Sequence, residues 1–118
     1  MTKEDLPLGT IQVSPRAIAT IAYQAALQSY GVVGLAHKNF FNGVSHAIVK
    51  DPQHGIDVTY DGIEIHIDIY IIVEYGTRIA QVAESVKDIV RYQVEKSLGL
   101  PVSTVNVHVR GLRISEED

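Results

Sequence analysis

The sequence predicts an α+β fold of two layers, a mixed β-sheet with two main helices packed on one of its faces. Three observations carry this. From Ile56 to Glu74 apolar and polar residues alternate with period two around an Asp61-Gly62 pair. From Ile79 to Val94 apolar residues recur at helical spacing. Alternation then resumes from Val105 to Arg110, so strand, helix and strand follow one another and imply a crossover joining a parallel pair.

Each element has its local cause. Gly9 to Val13 reads as a short strand with Ile11 and Val13 on one face. Ser14 is a good N-cap, Pro15 suits the first helical position, and Val13 packs on Ile18 as a staple. Ile18, Ile21, Ala22 and Ala25 form the apolar face of that first helix, and Gly31 ends it, with Val32 reaching Leu27 across the turn. Residues 32–55 carry little pattern. Val32-Val33-Gly34-Leu35 reads as a short extended piece, Val44 to Val49 as a short helix or strand, and Asp51-Pro52 as a break.

The hairpin signal is stronger. Asp61-Gly62 predicts a two-residue type I′ turn, which pairs Tyr60 with Ile63 and Asp57 with His66. Ile63, Ile65, Ile67, Ile69, Ile71 and Val73 share the buried face of the return strand. Glu64, His66, Asp68, Tyr70, Ile72 and Glu74 share the wetter one. Thr77 is the expected cap of the second helix, whose buried stripe is Ile79, Val82, Ala83, Val86, Ile89, Val90 and Val94. Glu84, Lys87, Asp88, Arg91, Glu95 and Lys96 lie on its solvated side, and Gly99 and Pro101 terminate it. Val105, Val107 and Val109 then alternate with Asn106, His108 and Arg110 in the last strand.

A chain of 118 residues supports one domain. It is expected over 8–113, with 1–7 and 114–118 as solvated acidic tails. There are no cysteines, which excludes disulfides, a cysteine nucleophile and cysteine-based zinc sites. The net charge of −4 comes entirely from the two termini, so the body between them is neutral. A neutral body argues against electrostatic binding to nucleic acid or to an anionic bilayer, and it offers no repulsion to oppose association. The acidic N-terminus lacks an apolar run of the signal-peptide kind. Ala17 to Ala36 is uncharged and about as long as a membrane span. Gln24, Gln28, Ser29, Gly31 and the many alanines mark it as a soluble helix and loop. A cytoplasmic protein without direct membrane insertion is expected.

Candidate chemistry is sparse. Asp57, His66, Asp68 and His108 fall on the outer sheet face, where a divalent metal has possible ligands. A solvated face with a cross-strand ion pair explains them more simply, since no His-x-x-His spacing occurs. Gly31-Val32-Val33-Gly34 spells the Gly-x-x-Gly of KH loops, the basis of an alternative reading as a small nucleic-acid-binding domain. Its valines and the lack of a basic residue before Lys38 speak against it. No phosphate-cradling or nucleophile-elbow motif is present, and Ser14, Ser45 and Ser85 have no identifiable base. No enzyme, cofactor or metal is expected. Phe40-Phe41 either plugs its loop onto the core or stands out as a contact, and Tyr70 and Ile72 on the outer face raise the same question.

Three segments together resemble the alkaline shock protein family of Gram-positive bacteria. They are Gly9-Thr10-Ile11-Gln12-Val13-Ser14-Pro15-Arg16-Ala17-Ile18-Ala19-Thr20-Ile21-Ala22, then Tyr70-Ile71-Ile72-Val73-Glu74-Tyr75-Gly76, then Val105-Asn106-Val107-His108-Val109-Arg110-Gly111. With their spacing they span nearly all of Leu8 to Arg113, in the shape of a short single-domain member. The resemblance implies a cytoplasmic, non-enzymatic protein linked to cell-envelope homeostasis or stress. Some members self-associate and are held at the membrane by an integral-membrane partner. It supplies no catalytic or cofactor residues, and Glu74, Tyr75, Gly76 and His108 read as structural. The expectation is an adaptor or scaffold acting through protein contacts and self-association. Tyr70, Ile72, Arg110, Phe40 and Phe41 are its candidate contact residues.

Overall fold

The computed structural model describes residues 14–38 and 48–114. The expected strand over Gly9–Val13, the staple from Val13, the Phe40-Phe41 pair and most of the Val44–Val49 segment lie outside the described residues.

The first helix, α1 (Pro15–Leu27), starts as its sequence dictates. The Ser14 side chain accepts from the Ala17 amide, and Pro15 occupies the first turn. Ile18, Ala19, Ala22, Ala25 and Ala26 are buried on its inner face. Its end differs from expectation: Gln28 caps it in a right-handed conformation, and Gly31 (φ +88°) turns the chain three residues later into β1 (Val32–Leu35). The Gly31–Gly34 segment is therefore a turn entering a strand, not a loop between helices, and the KH-like reading loses its geometry.

Asp51-Pro52 begins a single helical turn, α2 (Pro52–Gly55), because the Asp51 carboxylate accepts from the Gln53 amide. Of the segment before it, Val49 forms an isolated bridge to Leu35.

Two strands, β2 (Ile56–Tyr60) and β3 (Ile65–Glu74), make the hairpin, but its loop is longer than expected. Asp61 Oδ1 accepts from the amides of both Ile63 and Glu64, which holds Asp61–Glu64 as a four-residue loop with Gly62 at φ +93°. Tyr60 consequently pairs with Ile65 and Asp57 with Asp68. Ile63 leaves the buried ladder and is 82% exposed. The shift is two residues, so the side chains that remain in the two strands keep their expected faces.

The long helix α3 (Ile79–Leu98) is capped at Arg78 without a side-chain bond. Thr77, the expected cap, instead donates its hydroxyl to the Glu74 carbonyl. Val82, Val86, Val90 and Val94 form the buried stripe, and Gly99 (φ +72°) closes the helix in the left-handed region. Ile79, assigned to that stripe, is half-exposed. Twenty helical residues span about 30 Å, and the ten of β3 about 33 Å. The helix therefore returns the chain along β3 to β4 (Thr104–Arg113), which pairs with β3 in parallel.

The sheet is organised on β3. Since β4 follows it from His66 to Glu74, β2 (against Ile65–Ile69) and β1 (against Ile71–Val73) share its other side end to end. The odd-numbered residues Ile65, Ile67, Ile69, Ile71 and Val73 point into one core with α1 and α3. Each such side chain contributes about 1.5–3 kcal/mol by leaving water.

Candidate functional site

The described helices cover one face of the sheet, and the chemistry collects on the other. Even-numbered residues of β3, and of β4 as far as His108, point there, beside Asp57 from β2. Asp57 and Asp68 stand directly opposite, an unfavourable pair of like charges. Asp68 is compensated from β4: Asn106 Nδ2 donates to its Oδ1 at 3.2 Å and His108 Nε2 at 3.0 Å. A carboxylate only accepts, so Nε2 of His108 carries its proton. The same logic assigns His66, whose Nε2 faces Glu64 Oε1 at 3.1 Å while Nδ1 lies 2.7 Å from the Thr104 hydroxyl. In the neutral ring Nε2 donates and Nδ1 accepts.

The centre of this face is aromatic. Tyr70 stacks on His108 with centroids 4.6 Å apart and planes 13° from parallel. Arg110 places its guanidinium 5.1 Å from the Tyr70 centroid. Such a cation–π contact is worth about 0.5–1 kcal/mol at an exposed site. Arg110 is the extra residue of a β-bulge, since β4 steps from Val109 to Gly111 where β3 advances one residue. Desolvation pushes the Tyr70 phenol above its ordinary 10.0, the carboxylates of Asp68 and Asp57 push the same way, and Arg110 opposes them. The result is a planar stack framed by a fixed cation and carboxylates. Among the described residues no group of three metal-capable side chains forms. His37, remote in sequence from this face, stacks on His54 at 5.2 Å.

The five candidate contact residues have separate fates. Tyr70 and Arg110 come together as described. Ile72 points to the same face yet is 5% exposed, so it is not available as a surface contact. A second bulge, at Val33 on β1, works with the one at Arg110 to set glycines Gly34 and Gly111 on either side of Ile72. Ile48 fills the space above Gly34, where an added Cβ would lie 2.6 Å from its Cγ2. The outer-face apolar residue thus belongs to a small second packing site. Phe40 and Phe41 lie outside the described residues.

One apolar feature escaped sequence reasoning. Tyr30 (82% exposed), Tyr75 (66%) and Ile114 (74%) stand at the end of the sheet where β1 starts and β4 finishes. Glu74 N–H donates to the Gly31 carbonyl and Tyr75 N–H to that of Arg113, which draws these three turns together. A groove of about 430 Å³ opens beside them, lined by Tyr30, Gly76, Thr77, Arg78, Gln81, Val82 and Ser85. Only the placement of tyrosine next to turn glycines, at Tyr30-Gly31 and Tyr75-Gly76, hints at it in the sequence.

No described helix is long and apolar enough to cross a membrane. Comparison with solved structures finds the same fold in MamM-CTD. The match has a TM-score of 0.52 at 18% identity and covers 83% of this chain and 98% of that one. Among curated proteins, YloU of Bacillus subtilis is 42% identical over 109 residues, 91% of each chain. YqhY of the same organism is 33% identical over 117 residues, 96% of this chain and 84% of its own. A stress response regulator gls24 homolog of Streptococcus pyogenes is 29% identical over 98 residues, covering 73% of this chain and 55% of the homolog. The model of the alkaline shock protein 23 family, described as having a cell envelope-related function, matches residues 3–114. This chain belongs to that family, the one that its three sequence segments resemble.

Proposed function

We propose that this protein is a non-enzymatic adaptor serving the cell envelope, working through protein contacts and through association with itself. The observation that carries the reading is the Tyr70–His108–Arg110 stack on the sheet face opposite the two helices. Aromatic residues and arginine are the side chains that dominate protein interfaces. A stack locked by cross-strand bonds offers them with little ordering cost. The partner is a protein, in keeping with the neutral body of the chain, and an integral-membrane partner accounts for an envelope role in a chain without a described spanning helix. On this reading the protein is cytoplasmic and membrane-proximal, and it binds neither nucleic acid nor cofactor.

Two measurements test it. Sedimentation of purified protein over a wide concentration range should show reversible self-association, and a monomer up to high micromolar concentration would remove that part. In cells, the wild-type protein should fractionate with envelope proteins. Tyr70→Lys with Arg110→Glu should release it to the soluble fraction while far-UV circular dichroism stays unchanged. Retention of the folded double variant would exclude this face.

A further inference from the structure

We infer that the free edge of β4 is the surface on which two copies of this chain meet, as antiparallel strands about a two-fold axis at Val107. The inference rests on the self-association reading and gives it a geometry.

Among the described residues β4 pairs with β3 alone, so its other edge is open over Thr104–Val109. The direction of its main-chain groups follows from β3. There the Tyr70 carbonyl accepts from the Ala36 amide and the Glu74 amide donates to the Gly31 carbonyl. Even-numbered main-chain groups of β3 therefore face β1 and β2, and odd-numbered ones face β4. With Thr104 opposite His66 in the parallel register, Thr104, Asn106 and His108 bond to β3, and strand alternation turns the amides and carbonyls of Val105, Val107 and Val109 outward. Edge strands are normally blunted by proline, lysine or an early bulge. This one has neither proline nor lysine, and its bulge comes only at Arg110. Its core-facing side also remains incomplete. Val105 is buried, whereas Val107 and Val109 are only partly so, although they lie opposite the fully buried Ile69 and Ile71.

A second copy completes both features. With the axis at Val107, the core-facing pairs are Val107 with Val107 and Val105 with Val109. The outer-face pairs are Asn106 with His108 and Thr104 with Arg110, and no like charges meet. An axis one residue earlier sets Ser103 against Val109, and one residue later sets Val105 against Gly111. Only the Val107 register matches valine to valine throughout and extends both the sheet and its apolar layer. The outward-facing Val107 residues form a hydrogen-bonded pair, with Cα atoms about 5.5 Å apart. That distance lies within the range a disulfide accepts.

The sequence contains no cysteine, so Val107→Cys introduces the sole thiol. Mild oxidation of this variant should convert most of it to a covalent dimer, while Ser97→Cys, on the exposed side of α3, should remain largely monomeric. Val109→Pro removes one outward amide and spares the β3 ladder; it should sediment as a monomer with near wild-type helicity. Should Val109→Pro fail to fold, the conservative Val107→Cys still decides. A wild-type oligomer with no Val107→Cys cross-link overturns the edge geometry and leaves self-association standing. A wild-type monomer overturns both. Association appearing only after removal of residues 1–13 would mean that the chain's own Gly9–Val13 segment occupies the edge, which also overturns the proposal.

Discussion

Glu95, near the end of α3, accepts a hydrogen bond from the Val102 amide at 2.8 Å, and Arg91 one turn earlier donates to the carbonyl of the same residue. The helix thereby grips both polar groups of the loop that aims the chain into β4. Val102 is itself buried, so these groups would otherwise lose water without replacement.

Glu95→Ala should therefore destabilise the protein by about 1–2 kcal/mol, in the range for a hydrogen bond to a charged, half-exposed group. Glu95→Gln keeps an accepting oxygen and should cost less. Urea melts of the three proteins measure the order, and equal midpoints would show that the loop holds itself.

Gly62 stands at φ +93° with nothing within 4 Å of where a Cβ would be. Gly62→Val should thus cost about 1–3 kcal/mol through backbone strain alone. Gly62→Asn, which tolerates the left-handed region better, should cost less. Melts that fail to separate valine from asparagine at this position would rule out a positive φ in solution.

The Asp61 carboxylate, lowered from its ordinary 3.8 by the amides of Glu64 and Ile63, makes the same loop pH-sensitive. A depressed folded-state value means that the ionised form favours folding. Its contribution is present above pH 3.8 and fades as pH falls through the lower folded value. Asp61→Ala should be less stable than wild type at neutral pH, and the gap should close in acid. A gap constant with pH would mean that the charge is irrelevant to the loop.

Val86 is fully buried in the middle of the α3 stripe. Val86→Asp leaves a carboxylate without a partner among isoleucines, a cost of several kcal/mol against a total stability of about 5–15 kcal/mol. Loss of the cooperative thermal transition is expected; a folded, soluble variant would contradict the packing of this helix.

The raised Tyr70 phenol gives the outer face its own titration. Its neutral form is the one the fold favours. Stability is complete below pH 10.0 and declines as pH rises from there through the higher folded value. Phenolate absorbance of Tyr70, isolated by difference from Tyr70→Phe, should appear above that of free tyrosine. Arg110→Ala should move it further up, because the opposing cation is gone. Movement downward would place Arg110 away from the ring.

Much of this fold is local in origin and was legible as such. Ser14-Pro15 starts α1 and Gly99 ends α3, because capping depends on a few consecutive residues. Alternation over Ile56–Tyr60 and Ile65–Val73, and the valine stripe from Val82 to Val94, assign faces, because side-chain direction follows the period of the backbone. Local pattern is thus enough for the α+β class, the parallel return to β4 and the family. What it left open depends on partners distant in the chain. The Asp61 carboxylate, by capturing two amides, lengthened the loop and moved Asp57 from His66 to Asp68. Bulges at Val33 and Arg110 are visible only against β3, and they alone bury Ile72 between Gly34 and Gly111 while bringing Arg110 over Tyr70. The exposed Tyr30 and Tyr75 likewise depend on where three separate turns meet. Period sets which way a residue faces; only the assembled sheet decides what it faces.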